Sequence, residues 1–163
     1  VERAAGLLGN AHQEFGQANP HTNNVIIDAI ARKGGTNAGR DAENYLRKME
    51  KSKLEGSDPD TITYTSVINA WARSAEPRAG KEATRLLREM QEKAREDPSV
   101  KPDVMAYNST IHAWAKSGRP DRGIQAEKLL REMQDKARED PDVEPTVSSY
   151  NSAINAWAKS GHP

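Results

Sequence analysis

Pro59-Asp60-Thr61-Ile62-Thr63-Tyr64 returns as Pro102-Asp103-Val104-Met105-Ala106-Tyr107 and again as Pro145-Thr146-Val147-Ser148-Ser149-Tyr150, each time 43 residues on. A second element trails each copy: Ile68-Asn69-Ala70-Trp71-Ala72-Arg73-Ser74, then Ile111-His112-Ala113-Trp114-Ala115-Lys116-Ser117, then Ile154-Asn155-Ala156-Trp157-Ala158-Lys159-Ser160. Aligned without gaps, 61–103 and 104–146 agree at 24 of 43 positions, and 86–98 matches 129–141 at 12 of 13. Agreement of that density at a fixed step marks a tandem array. An older copy precedes it, because Ile27-Asp28-Ala29-Ile30-Ala31-Arg32 stands 41 residues before Ile68-Asn69-Ala70-Trp71-Ala72-Arg73. Ala42, Leu46 and Met49 likewise stand 41 before Ala83, Leu87 and Met90. The expected organisation is a partial unit over 1–19 (its second helix marked by Leu7-Leu8), units over 20–60, 61–103 and 104–146, and the first helix of a further unit over 147–163.

Each unit reads as two helices. Tyr64, Val67, Ile68 and Trp71 recur at helical spacing behind Asp60, a residue type that caps helix starts. Ser117-Gly118 and Ser160-Gly161 supply a stop. Ala83, Leu86, Leu87 and Met90 give the second helix one apolar stripe, and Pro98 and Pro102 close it. Glu89–Lys93 and Glu132–Lys136 read as i,i+4 pairs on an exposed face, and Glu92–Asp97 and Asp135–Asp140 as solvated helix ends. The tryptophan series reads as packing between units. No segment alternates as a strand does. The expected fold is all-α, an α-solenoid of antiparallel helix-turn-helix units drifting as a right-handed superhelix.

Composition agrees with thin interfaces rather than one large core. Leu, Ile, Val and Phe make up only 24 of 163 residues, while alanine alone contributes 22. The 24 basic residues cancel the 24 acidic ones, so self-repulsion does not force disorder. No apolar run approaches the roughly 20 residues that cross a bilayer, so no membrane partner is expected. With no cysteine, disulfides, thiolate metal sites and cysteine nucleophiles are excluded. His12, His21, His112 and His162 lack metal-ligand spacing, and no phosphate loop or nucleophile elbow is present. Neither an enzyme activity nor a cofactor is expected.

Opposite the apolar stripe, residues four apart share a face of the first helix. The sets are Asn24–Asp28–Arg32, Thr65–Asn69–Arg73, Asn108–His112–Lys116 and Asn151–Asn155–Lys159. Every unit thus offers a small polar residue at the start and a cation two turns later. Over these four helices Asp28 is the one acid against Arg32, Lys33, Arg73, Lys116 and Lys159. A neutral chain can therefore present a basic surface lined with amides and hydroxyls, which suits a single-stranded nucleic acid. The same residues also serve as ordinary first-turn caps and as cations complementing the helix dipole.

A Pro-Asp start, Tyr64-Thr65, Tyr107-Asn108 and Tyr150-Asn151, and a second helix carrying Leu-Leu-Arg-Glu-Met resemble the pentatricopeptide repeat family from residue 20 onward. The resemblance implies sequence-specific binding of single-stranded RNA, about one base per unit, in a mitochondrion or chloroplast. It implies that Asn24 with Asp60, Thr65 with Asp103, and Asn108 with Thr146 read bases, with Asn151 in the corresponding place in the last unit. By the family's code the first pair suits uracil, the second guanine, and the third only weakly a pyrimidine. Ile62 and Met105 would sandwich the bases, and Arg32, Arg73, Lys116 and Lys159 would meet the RNA backbone. The units exceed the family's length of about 35 by about eight residues around Lys93–Val100 and Lys136–Val143, read as a longer second helix.

Two functional classes stay open at this point. One is an RNA-binding module of an organellar gene-expression factor, active in RNA processing, stability or translation. The other is a protein-interaction or structural scaffold within an organellar ribonucleoprotein assembly such as a ribosome.

Overall fold

The computed structural model describes residues 20–51 and 58–161, with side chains from residue 23. The helix expected over 1–19, His12 and His162 lie outside them, as does the side chain of His21. Among the described residues seven α-helices follow one another: α1 Pro20–Lys33, α2 Ala38–Lys51, α3 Thr61–Ser74, α4 Ala79–Lys93, α5 Val104–Lys116, α6 Arg122–Lys136 and α7 Val147–Ser160. No strand occurs among the described residues. The helices α1, α3, α5 and α7 pack side by side as one row, and α2, α4 and α6 each sit between two successive members of it. This is the solenoid plan, in which an element buries its apolar face only against neighbours.

Local chemistry explains where the helices begin and end. Asp60 Oδ1 accepts the Thr63 N–H at 2.8 Å while the Asp60 N–H donates to Thr63 Oγ1 at 3.2 Å, a reciprocal cap that opens α3. Asp103 Oδ1 accepts from the Ala106 N–H at 2.8 Å, and the Thr146 N–H donates to Ser149 Oγ at 2.9 Å. At the other end, the Ser74, Ser117 and Ser160 hydroxyls donate to the carbonyls of Trp71, Trp114 and Trp157. The next residue turns left-handed in each case, with φ of 53° at Ala75, 70° at Gly118 and 71° at Gly161.

Trp71, Trp114 and Trp157 lie over Gly39, Gly80 and Gly123 of the second helix before them. A Cβ built on those glycines would stand 2.3, 2.4 and 2.6 Å from the indole ring, which excludes any side chain. Each indole N–H also donates across the same junction, to Glu43 at 3.1 Å, Thr84 at 2.9 Å and Glu127 at 3.0 Å. Close helix approach, a large apolar face and one satisfied polar atom thus coincide at a single contact.

The added length does not extend the second helix. Helices α4 and α6 end at Lys93 and Lys136, and the chain then turns into short 3-10 segments at Pro98–Val100 and Pro141–Val143. Proline after the helix removes a backbone donor and prevents its continuation. Val100 and Val143 are buried beneath these turns, so each insertion is pinned to its own unit by one apolar plug. The Thr61 hydroxyl also lies 2.7 Å from the Lys101 carbonyl and 2.9 Å from the Ser99 carbonyl, so its one proton ties the first insertion to α3.

Replacing Gly80 with alanine separates this packing from simple helix propensity. On an open helix the change stabilises by up to about 1 kcal/mol. Beneath Trp114 it should instead lower stability by about 2 kcal/mol in urea denaturation, because the rigid ring must shift. A gain in stability would contradict the packing described.

Candidate nucleic-acid interface

The starts of α3 and α5 carry two large apolar side chains in solvent, Ile62 at 61% exposure and Met105 at 57%. Beside them lie the small polar residues singled out by their position after the tyrosine. Asn24 Nδ2 donates to Asp60 Oδ1 at 3.5 Å, and Asn108 Nδ2 donates to Thr146 Oγ1 at the same distance. Thr65 and Asp103 share no such bond; Asp103 caps α5, and Thr65 Oγ1 is buried without a partner. Asn108 Oδ1 is also buried and unpartnered. Asn151 is exposed at the corresponding place on α7. Asp60 and Asp103 are therefore helix caps as well as members of this row.

The cations divide into two kinds. Arg32 is held by Asp28, Nε to Oδ2 at 2.7 Å, so its charge is locally matched. Arg73, Lys116 and Lys159 are exposed, and none forms an ion pair among the described residues. They converge on His112, which is half-buried in the middle of α5. Burial pushes the His112 imidazole below its usual range, and the charges of Lys116, Lys159 and Arg73 push it the same way. Among the described residues no carboxylate offsets them at His112.

The acids are elsewhere, and not as helix-local pairing suggests. Glu89 takes Arg47 from the preceding second helix at 2.6 and 2.7 Å, with Lys93 secondary at 3.7 Å. Glu132 is clasped by both terminal nitrogens of Arg88 rather than by Lys136. The phenols that α3 and α5 bury point into the same bridges: the Tyr64 hydroxyl lies 2.7 Å from Glu50 and 2.9 Å from Glu89, with one proton to share between them, and Tyr107 donates to Glu132 at 2.8 Å. These repeated carboxylates are half-buried links between units, not solvated helix surface. The second-helix row consumes its own charge, leaving the first-helix row net basic.

Pairing also governs titration. Burial pushes the Glu132 carboxyl up, but hydrogen bonds from Arg88, Gln91 and Tyr107 and the Arg88 charge outweigh it and hold the group at about 2. Glu50 is likewise held at about 2, where Lys93, Arg47 and Tyr64 outweigh its burial. Tyr64 and Tyr107 are pushed up, first by burial and then by the carboxylates they bond.

Thr63 is the part of this site that sequence position did not pick out, whereas His112 stands, as its place between Asn108 and Lys116 leads one to expect, on the same face as Asp28, Asn69 and Asn155 of the other units. Among the described residues no cluster of three His, Asp or Glu side chains could hold a metal ion. Nor is any described helix long and apolar enough to cross a membrane. Residues 85–160 match the family model of the pentatricopeptide repeat domain. A search of curated proteins found no match.

Because Glu132 titrates lower in the folded chain than in the unfolded one, its stabilisation is complete above pH 4.5 and falls as the pH drops toward 2. Glu132→Gln should lower stability at pH 7 by about 1–2 kcal/mol and flatten that acid decline. Equal acid profiles for the two proteins, followed by circular dichroism, would show that the bridge does not link units.

Proposed function

We propose that this chain, whose residues 85–160 match the pentatricopeptide repeat domain, is a sequence-specific single-stranded RNA-binding module of an organellar gene-expression factor. It performs no chemistry of its own. It acts by covering an RNA segment or by recruiting other proteins of an organellar ribonucleoprotein assembly, in a mitochondrion or chloroplast.

The observation that carries this reading is the pair of buried, unpartnered oxygens at one place in successive units, Thr65 Oγ1 and Asn108 Oδ1. A buried polar atom left unpaired costs about 1–3 kcal/mol. A base edge arriving between exposed Ile62 and Met105 would supply the missing partners while the aliphatic side chains cover its faces. Reading would then fall to Asn24 with Asp60, Thr65 with Asp103, Asn108 with Thr146, and Asn151 in the last unit. Arg73, Lys116 and Lys159 would neutralise phosphates, and Arg32 would join them only by giving up Asp28.

Two measurements test this. Three phosphates neutralised by three free cations give a log–log salt slope of about −2 for a single strand. Lys116→Ala should flatten it by about 0.7 without altering base preference, whereas a slope near zero would favour the scaffold reading. Changing Thr65 to Asn makes its pair match Asn24 and Asp60, so preference should move from guanine toward uracil by about fivefold or more. Competition between two short RNAs differing at that base measures the switch; equal affinities in both proteins would remove the base-reading role.

A further inference from the structure

The Asn24 and Asp60 pair has a third member, supplied by the helix that follows. Thr63 is fully buried, 39 residues from Asn24 in sequence, and its Oγ1 lies 2.7 Å from Asn24 Oδ1. The same oxygen lies 2.7 Å from Asp60 Oδ1 and accepts the Asp60 N–H at 3.2 Å. A hydroxyl has a single proton to give. Asp60 Oδ1 already accepts the Thr63 N–H at 2.8 Å, whereas no other group among the described residues donates to Asn24 Oδ1, so giving the proton to Asn24 leaves both oxygens partnered. The consequence is orientational. With its carbonyl facing Thr63, the Asn24 amide aims Nδ2 at Asp60; reversal would set the amide oxygen against the Asp60 carboxylate and cost that oxygen its hydroxyl donor. Every hydrogen bond to the Asp60 carboxylate among the described residues ends on Oδ1, which leaves Oδ2 to meet something else.

The other two pairs lack this bridge, each for a different reason. Ala106 stands where Thr63 does, so Asp103 receives only a backbone N–H and Thr65 Oγ1 has no partner. Ser149 restores a hydroxyl, but it engages the Thr146 N–H at 2.9 Å and lies 3.2 Å from Thr146 Oγ1, and Asn108 Oδ1 remains unpartnered. One pair is therefore fixed before any ligand arrives and two are not. Ordering donors in advance sharpens discrimination because a wrong base then meets a fixed mismatch, whereas a free amide can turn to suit it.

We infer that Thr63 is a positioning residue for base selection: its hydroxyl fixes the Asn24 amide and turns one Asp60 oxygen outward, making this the most selective place in the array. The inference rests on the proposed RNA-binding function and adds a residue from the next unit to the Asn24 and Asp60 reading pair. It also makes selectivity uneven along the chain, sharp at Asn24 and Asp60 and loose at Thr65 and Asp103.

The test is competition binding of the whole chain to short single-stranded RNAs differing only by uracil or cytosine at one base. Thr63→Val keeps the shape but removes the hydroxyl, and should lower the uracil-to-cytosine ratio at the base opposite Asn24 and Asp60 about fivefold, the effect of about one hydrogen bond. Thr63→Ser should retain the ratio. A purely structural loss at the start of α3 would weaken both RNAs together and leave the ratio alone. Ala106→Thr adds the hydroxyl where the helix is already capped without it, and should raise the selectivity of the Thr65 and Asp103 base about threefold. Unchanged ratios in Thr63→Val and Ala106→Thr, with a wild-type chain that discriminates, overturn the inference and leave the proposed function standing. A wild-type chain that binds neither RNA overturns both.

Discussion

The contact between a tryptophan of one first helix and a glycine of the preceding second helix sets the geometry on which everything else depends. Trp71 on Gly39, Trp114 on Gly80 and Trp157 on Gly123 repeat one approach, too close for any Cβ. Because the indole N–H is bonded across each junction, the ring is fixed in rotation as well as in distance. Neighbouring units are thereby held at one separation, and the starts of successive first helices come close enough for Asn24 to reach Asp60 and Thr63. A chain with so few large aliphatic residues needs such a contact. Its interfaces are thin, so shape and a placed hydrogen bond must provide what bulk burial does not.

Charge segregation follows from the same stacking. Once the units are in place, Arg47 meets Glu89 and Arg88 meets Glu132 across the second-helix row, with Tyr64 and Tyr107 completing the bridges from the first helices. The acids that would otherwise offset Arg73, Lys116 and Lys159 are held on that side. A chain of zero net charge then carries a basic face, and at His112 burial first, and the charges of Lys116, Lys159 and Arg73 after it, disfavour the protonated imidazole. The stabilising interactions and the basic face are two results of one arrangement rather than separate features.

The helical repeat was legible because its signals are local or periodic: Asp60 before an apolar stripe, Ser117 before Gly118, and the recurring tyrosines and tryptophans. What escaped was non-local. Glu89 and Lys93 satisfy a helix-local rule, and nothing in spacing reveals that Arg47, 42 residues away, is the stronger partner. Gly39, Gly80 and Gly123 recur visibly, yet a glycine within a helix acquires meaning only when the opposing ring is known. The added residues looked like helix extension because charge continues past Lys93, whereas Pro98 stops it and Val100 anchors the turn. At the candidate site, the resemblance singled out Asn24 and Asp60, but the role of Thr63 depends on a third helix start lying within 2.7 Å of the asparagine.

Selection from a random pool of short single-stranded RNAs, read by sequencing the bound fraction, tests the central claim most directly. The account predicts a compact enriched motif in which one uracil is nearly fixed and the adjacent position is only loosely constrained. Recovery of a pool with no enriched motif would contradict it.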